Sequence, residues 1–299
     1  MIKSIVVSGA FSLCSFLCHA QQGGANELLL AIQNAKSSGQ KADALNAYGQ
    51  YWFDKNYDSA VYYYEKAFAI SNAAKYKKGI FDYASNMGNV YMFGGKYKEL
   101  EKLMLASVDR AREFKDKHYE AIFIANLGNA FMYNAEYEKA LAYFQKGVQL
   151  FNENREFNYE RKINIFISIC FFNSENLDKA IEYAKLSAVQ SEKASDSVTH
   201  CKALGMIGKC YVEKNDFQTA KPFLEQSLNL SERLNMQVET ADNQANLGRV
   251  FHSEKDYAKA ISYSENALKY FTESGNEFYR INTLTFLSTY YKDSKNNSK

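Results

Sequence analysis

Groups that could act as acid, base, nucleophile or metal ligand are present but scattered. His118, His200 and His252 stand in three separate stretches. None sits in a His-Glu-x-x-His or Cys/His spacing that would hold a metal ion. No Gly-x-Ser-x-Gly elbow is present to expose a nucleophilic serine. Gly94-Gly95-Lys96 has the glycines and lysine of a phosphate loop without the rest of it, and reads as a turn. Carboxylates such as Glu136 and Glu138 fall at turn and surface positions, where solvation is their ordinary role. The chain is therefore read as no enzyme, with no metal and no cofactor. What does recur is the carboxamide. Asn46, Asn86, Asn126 and Asn246 are separated by multiples of forty, and Asn89 and Asn129 follow three residues after two of them. An Asn amide carries two N–H donors and a carbonyl acceptor, so it can pair with a peptide backbone much as a neighbouring strand does.

The remaining reactive groups are cysteines. Cys170, Cys201 and Cys210 are the three beyond the first eighteen residues. Cys201 and Cys210 fall in one expected helix, about 13 Å of rise apart, too far for a disulfide, which needs Cα atoms within about 7 Å. They read as small core-filling side chains.

The elements that position the amides follow from a strict period. Ala60, Leu100, Ala140, Ala180, Ala220 and Ala260 lie forty residues apart. Three residues earlier come Tyr57, Tyr97, Tyr137, Leu177, Phe217 and Tyr257. Twelve residues earlier come Tyr48, Gly88, Gly128, Ser168, Gly208 and Gly248, and three after those come Tyr51, Tyr91, Phe131, Phe171, Tyr211 and Phe251. Within a unit the apolar spacing is helical: Ala121, Ile124, Ala125, Gly128 and Phe131 form one stripe, and Tyr137, Ala140, Phe144, Val148 and Phe151 another. The spacing predicts helices over 117–134 and 137–154, joined at Asn134-Ala135-Glu136. A glycine inside a helix costs about 0.5–1 kcal/mol relative to alanine, so the glycine column implies that helix A must approach helix B closely there. A single proline, Pro222, leaves these helices uninterrupted, and near the start of its own helix it implies a mild bend.

Asn126-Leu127-Gly128-Asn129-Ala130-Phe131 followed by Tyr137-Glu138-Lys139-Ala140-Leu141-Ala142-Tyr143-Phe144 resembles a tetratricopeptide repeat. So do Asn246-Leu247-Gly248-Arg249-Val250-Phe251 with Tyr257-Ala258-Lys259-Ala260, and Asn86-Met87-Gly88-Asn89-Val90-Tyr91. The period of forty exceeds the usual 34, and the proline that closes helix B in the family is absent. The chain is thus similar to the long-repeat subclass that includes mitotic spindle adaptors and bacterial peptide-responsive regulators. The resemblance implies an all-α, right-handed α-solenoid of stacked antiparallel helix pairs. The expected organisation is a signal peptide over 1–20, a capping helix within 21–40 running from Asn26 to Ser37, six repeats over 41–280, and a seventh helix A with a polar tail over 281–299.

In the family, helix A lines the concave face. Carried onto this sequence, that wall would comprise Asn86, Asn89, Asn126, Asn129, Lys162, Ile165, Phe166, Ile169, Lys202, Lys209, Asn246 and Arg249. Each hydrogen bond nets about 0.5–1.5 kcal/mol against an association cost of about 4–15 kcal/mol. An amide ladder therefore needs help, here from apolar pockets at Ile165, Phe166 and Ile169. Lys202, Lys209 and Arg249 would make the far end basic, favouring a peptide with an acidic end. The alternative for Asn126 and its equivalents is a bond between neighbouring repeats. A match to the carboxylate clamp of chaperone adaptors is incomplete: Asn89, Asn126 and Lys162 fit, Ser85 and Phe166 do not.

Composition sets the class of partner and the address. Lys and Arg number 36 against 34 Asp and Glu, so the concentrated basic footprint of a nucleic-acid binder is missing. Lys3, the apolar run 5–17 and Cys18-His19-Ala20 form a signal-peptide pattern with cleavage between Ala20 and Gln21. No later stretch approaches the ~20 apolar residues of a membrane span. The expectation is an exported, periplasmic or secreted scaffold that binds a protein or extended peptide. The alternative is the sensor portion of a histidine kinase or transcription regulator, truncated before its membrane and output domains. Self-association through the end helices is the third partner expectation.

Overall fold

A computed structural model describes residues 24–296, and the expected leader with its expected cleavage between Ala20 and Gln21 lies outside them. Those residues divide into two compact units, 24–157 and 158–296. The N-terminal unit holds α1 (Ala25–Gln33), α2 (Ser38–Phe53), α3 (Tyr57–Ala73), α4 (Lys77–Phe93), α5 (Tyr97–Glu113), α6 (Lys117–Tyr133) and α7 (Tyr137–Glu153). The C-terminal unit holds α8 (Glu160–Asn173), α9 (Leu177–Lys193), α10 (Ser197–Glu213), α11 (Phe217–Arg233), α12 (Gln237–Ser253), α13 (Tyr257–Glu273) and α14 (Glu277–Asn296). Even-numbered helices from α2 are the A helices of the repeats, and the odd-numbered helices that follow are the B helices.

The glycine column does what its cost implied. A Cβ on Gly128 would stand 2.5 Å from the Phe144 ring, and one on Gly208 would stand 2.6 Å from Leu224. Both partner side chains are fully buried. Where the column carries Ser168 instead, its hydroxyl donates to the Ala180 carbonyl at 2.6 Å, and the residue sixteen further on is the small, buried Ala184. The aromatic column seals the edge of each pair. Phe131 stacks on Tyr143, Phe171 on Tyr183, Tyr211 on Phe223 and Phe251 on Tyr263, with centroids 5.2, 5.5, 6.2 and 5.2 Å apart. Ala60, Ala140, Ala180, Ala220 and Ala260 have no solvent exposure.

The turns carry a second period that the side chains conceal. Lys75, Gly95, Lys115, Ala135, Arg155, Glu175, Ser195, Asn215, Asn235, Lys255 and Gly275 all have positive φ, one every twenty residues. Each closes a helix in the same way. After α3, for example, the Tyr76 N–H reaches back to the Ser71 carbonyl at 2.8 Å and the Lys75 N–H to that of Asn72 at 3.2 Å, the two bonds of a Schellman ending. The chain turns in three residues whether it passes from A to B or from B to the next A. Asp116, Asn176, Asp196, Asp216 and Asp256 then cap the following helix with a side-chain oxygen.

Three boundaries differ from the sequence expectation. The first helix ends at Gln33 rather than near Ser37, because Ser37 caps α2: its hydroxyl accepts from the Gln40 N–H at 3.2 Å while the Gln40 side-chain Oε1 accepts from the Lys36 N–H at 2.9 Å. This is a variant of the Ser-x-x-Gln capping box. The fourth A helix starts late, a 3-10 turn at Phe157–Tyr159 replacing its first turn. At the far end α14 runs through the polar tail to Asn296, with Asp293 accepting from His252 Nε2 at 2.9 Å.

Candidate functional site

In the N-terminal unit, α4 and α6 are consecutive A helices, so their corresponding positions stand side by side. Ser85, Asn89 and Met92 of α4 and Asn126 and Asn129 of α6 surround one cavity of about 10 Å³, with Gly88, Leu100 and Met104 completing its lining. That is room for about one water molecule. Asn86 and Asn89 are half-buried. Asn126 and Asn129 are 5% and 2% exposed, and Asn129 Nδ2 donates to Asn126 Oδ1 at 3.2 Å. The expectation that Asn129 faces an open groove is corrected: three residues apart on one helix, the two side chains are buried and joined by this hydrogen bond. Asn46, the first of the column, is also buried, and neither of its amide atoms has a hydrogen-bond partner.

The charged border of this wall is held internally. The Lys78 ammonium donates to Asp43 at 2.9 Å and to Asp82 at 2.7 Å, and the Tyr76 hydroxyl donates to Asp43 at 3.0 Å. Burial pushes the Asp82 carboxyl above its ordinary range despite the nearby Lys78.

In the C-terminal unit, α8 brings Lys162, Ile165, Phe166 and Ile169 onto one helix, and all four are buried. Phe166 is 4% exposed and Ile169 8%, so these side chains are packed rather than held open as pockets. Burial brings the Lys162 ammonium down to about 8, with Asp196 opposing that shift and Arg161 adding to it. The Lys162 nitrogen lies 5.7 Å from the centre of the Tyr159 ring. Asp196 itself is salt-bridged to Arg161 at 2.8 Å. Its burial would raise its pKa, but the Thr199 N–H, Arg161 and the Thr199 hydroxyl together hold it below the usual carboxylate range.

The basic far end expected at Lys202, Lys209 and Arg249 is also corrected. Lys202 pairs with Glu239 at 2.9 Å, Lys209 with Asp242 at 3.0 Å, and Arg249 with Glu213 at 2.5 Å. Each pair joins neighbouring A helices, because residues 33–37 apart meet across a forty-residue repeat. A desolvated cation is strongly disfavoured without such a partner, so the positive charges are neutralised where they stand. The Lys209 ammonium also faces Phe172 and Tyr279 at 5.8 and 5.5 Å, and the Arg249 guanidinium lies 5.1 Å from the Phe286 ring centre. Asn246 spends its Nδ2 on the Asp242 carbonyl of its own helix at 2.8 Å. Glu213 and Glu239, central to this network, were missed by sequence reasoning; opposite charges at an offset of 33–37 were the available signal.

His118, His200 and His252 meet separate partners. His118 meets Glu156 at 2.5 Å, while His200 meets the Ala188 carbonyl. Among the described residues no cluster of His, Cys, Asp or Glu could hold a metal ion. Cys170, Cys201 and Cys210 are free and buried. Burial pushes the Cys201 thiol up to about 11 and the Cys210 thiol up to about 12, which leaves both protonated and unreactive near neutral pH. No helix among the described residues is long and apolar enough to cross a membrane.

Consecutive antiparallel helix pairs with a glycine–aromatic–alanine seam define an α-solenoid. Its units are tetratricopeptide repeats: the family model of that name matches residues 123–154, 202–233 and 241–272. The matches cover three of the repeats, and the fold of the remaining helix pairs is that of a tetratricopeptide-repeat solenoid. Solved structures of similar fold include the apo form of the quorum sensor NprR from B. thuringiensis, at TM-score 0.65 and 14% identity, covering 89% of this chain and 75% of that one. A Rap protein complexed with competence and sporulation factor is similar at TM-score 0.64 and 12% identity, covering 90% and 80%. A signal-transduction ATPase with a tetratricopeptide repeat sensor from Pyrococcus horikoshii is similar at TM-score 0.64 and 14% identity, covering 86% of this chain and 41% of its own. No curated protein sequence matches the chain.

Proposed function

We propose that this chain is a non-catalytic scaffold that holds a peptide or protein segment on the wall formed by its A helices, and that it works outside the cytoplasm. One observation carries the reading: Asn86 and Asn89, three residues apart on α4, are only half-buried, so their carboxamides still reach the surface of the A-helix wall. Carboxamides offer paired donors and acceptors to a passing backbone. The Rap protein crystallised with competence and sporulation factor supports the idea that such repeats hold a ligand. The paired state of Lys202, Lys209 and Arg249 removes the ground for an acidic preference, so the ligand is an extended segment selected by backbone pairing and apolar side chains.

The test is selection from a displayed peptide library followed by affinity measurement on variants. Asn86→Ala combined with Asn89→Ala removes two half-buried amides and lowers affinity roughly tenfold, at about 0.5–1.5 kcal/mol per lost bond. Selected peptides that bind this variant as well as the parent would sink the reading. The address rests on the leader and Ala20–Gln21; N-terminal sequencing of the exported chain should begin at Gln21.

A second reading, the sensor portion of a signalling protein, is favoured by NprR and by the Pyrococcus horikoshii ATPase, whose repeats are described as a sensor. A membrane span and kinase or DNA-binding domain encoded in frame beyond Lys299 would establish it over the free-standing scaffold.

A further inference from the structure

In each preceding repeat, helix A offers one face to the B helix that follows. In α12 that face includes Ala241, packed with Ala267 and Phe271 of α13, Gly248, whose Cβ would meet Ser264 and Ala260, and Phe251, stacked on Tyr263. The equivalent positions forty residues on are Ile281, Ser288 and Tyr291 of α14. Ile281 is 55% exposed and Tyr291 44%, with Leu284 between them at 41%. The opposite side of α14, through Thr283, Leu287 and Tyr290, is buried.

The exposed side has an internal order. Glu277, Ile281, Leu284, Ser288, Tyr291 and Lys295 follow one another at steps of four, three, four, three and four, and all are exposed. That is the seam spacing of a coiled coil. The seam is also complementary to its own reverse. Set antiparallel against itself about residue 286, it opposes Ile281 to Tyr291, large Leu284 to small Ser288, and acidic Glu277 to basic Lys295. A parallel arrangement would place Glu277 against Glu277 and Lys295 against Lys295. The Tyr291 hydroxyl donates to Glu265 at 2.5 Å, which fixes that ring before any partner arrives.

The geometry points to a homodimer in which α14 packs antiparallel on α14 of a second copy of this chain. The interface is isologous, as expected of a two-fold dimer, and the helix dipoles oppose one another favourably.

Sedimentation equilibrium of the purified chain over a wide concentration range tests this. The mass should rise from one to two chains with concentration, and Leu284→Lys should hold it at one. Leu284 is exposed within its own chain, so circular dichroism should show unchanged helicity. The charged pairs give an independent readout of orientation. Glu277→Lys and Lys295→Glu should each weaken dimerisation on the order of tenfold, two pairs being affected per dimer, and the double variant should restore it. A chain that stays monomeric throughout, a dimer indifferent to Leu284→Lys, or a double variant no better than either single one would each overturn the proposal. The first of these outcomes would assign the face to a helix of a longer chain or another protein.

Discussion

Gly128 and Gly88 occupy the same column but differ in what surrounds them. Alanine in a helix interior is favoured over glycine by about 0.5–1 kcal/mol. At Gly128 a methyl group would overlap the buried Phe144 ring at 2.5 Å, including its Cγ, and the ring has nowhere to move. Overpacking of this kind costs about 1–3 kcal/mol. At Gly88 the nearest atom is the mobile Cε of Met104 at 3.2 Å, and the residue borders the small cavity. Gly128→Ala should therefore destabilise the chain by about 1 kcal/mol or more, read as a lower urea midpoint, while Gly88→Ala should leave the midpoint unchanged or raise it. Equal behaviour of the two variants would show that the close approach is not what keeps the glycine. The chemistry of the recurring amides was legible in the sequence, whereas their partners were not. Whether Asn129 meets a ligand or Asn126 depends on side-chain rotamers that no spacing encodes. The neutralising partners of Lys202 and Arg249 lie one repeat away, and the charge offset that marks them acquires meaning only once neighbouring A helices are set side by side.

At the scale of elements, α6 and α7 fall at Lys117–Tyr133 and Tyr137–Glu153, within a residue of what the apolar spacing implied. Period, stripe and seam all follow from side-chain type, which is why they could be read in advance. The left-handed residue that ends each helix could not, because glycine announces it at Gly95 and Gly275 but not at Ala135 or Lys115. A side chain in the left-handed region costs about 1–2 kcal/mol, so the remaining turns hold their geometry through the two Schellman bonds and the packing of the flanking helices. Ala135→Gly should stabilise the chain by about 1 kcal/mol, and Gly95→Ala should destabilise it by a similar amount. Both changes are measurable as shifts in chemical denaturation. No gain at Ala135 would mean that the backbone conformation there is less strained than its φ of 60° implies.

The molecule as a whole consists of two compact units that meet in sequence at Phe157–Asn158. No glycine or proline marks the place, and the side-chain period runs through it undisturbed, which is why the sequence reading counted repeats without a break. The local structure is distinct all the same: a 3-10 turn stands where the other A helices begin, and Phe157 is 63% exposed. Stacked repeats draw their stability from their neighbours, and the link with the least regular local structure opens first. Brief chymotrypsin treatment should cut after Phe157 before any other aromatic residue and release two helical fragments. Early cleavage within α4 or α12 instead would place the weakest link elsewhere.

The turns recur at half the spacing of the side-chain pattern, and this governs how such a chain can change in length. Deleting or duplicating twenty residues would splice one turn onto an identical turn and leave the backbone path intact. It would also exchange the roles of every later helix, presenting to water the surfaces built for packing and to the interior those built for water. Forty residues is therefore the smallest quantum by which the molecule can grow or shrink while its inner and outer surfaces keep their places.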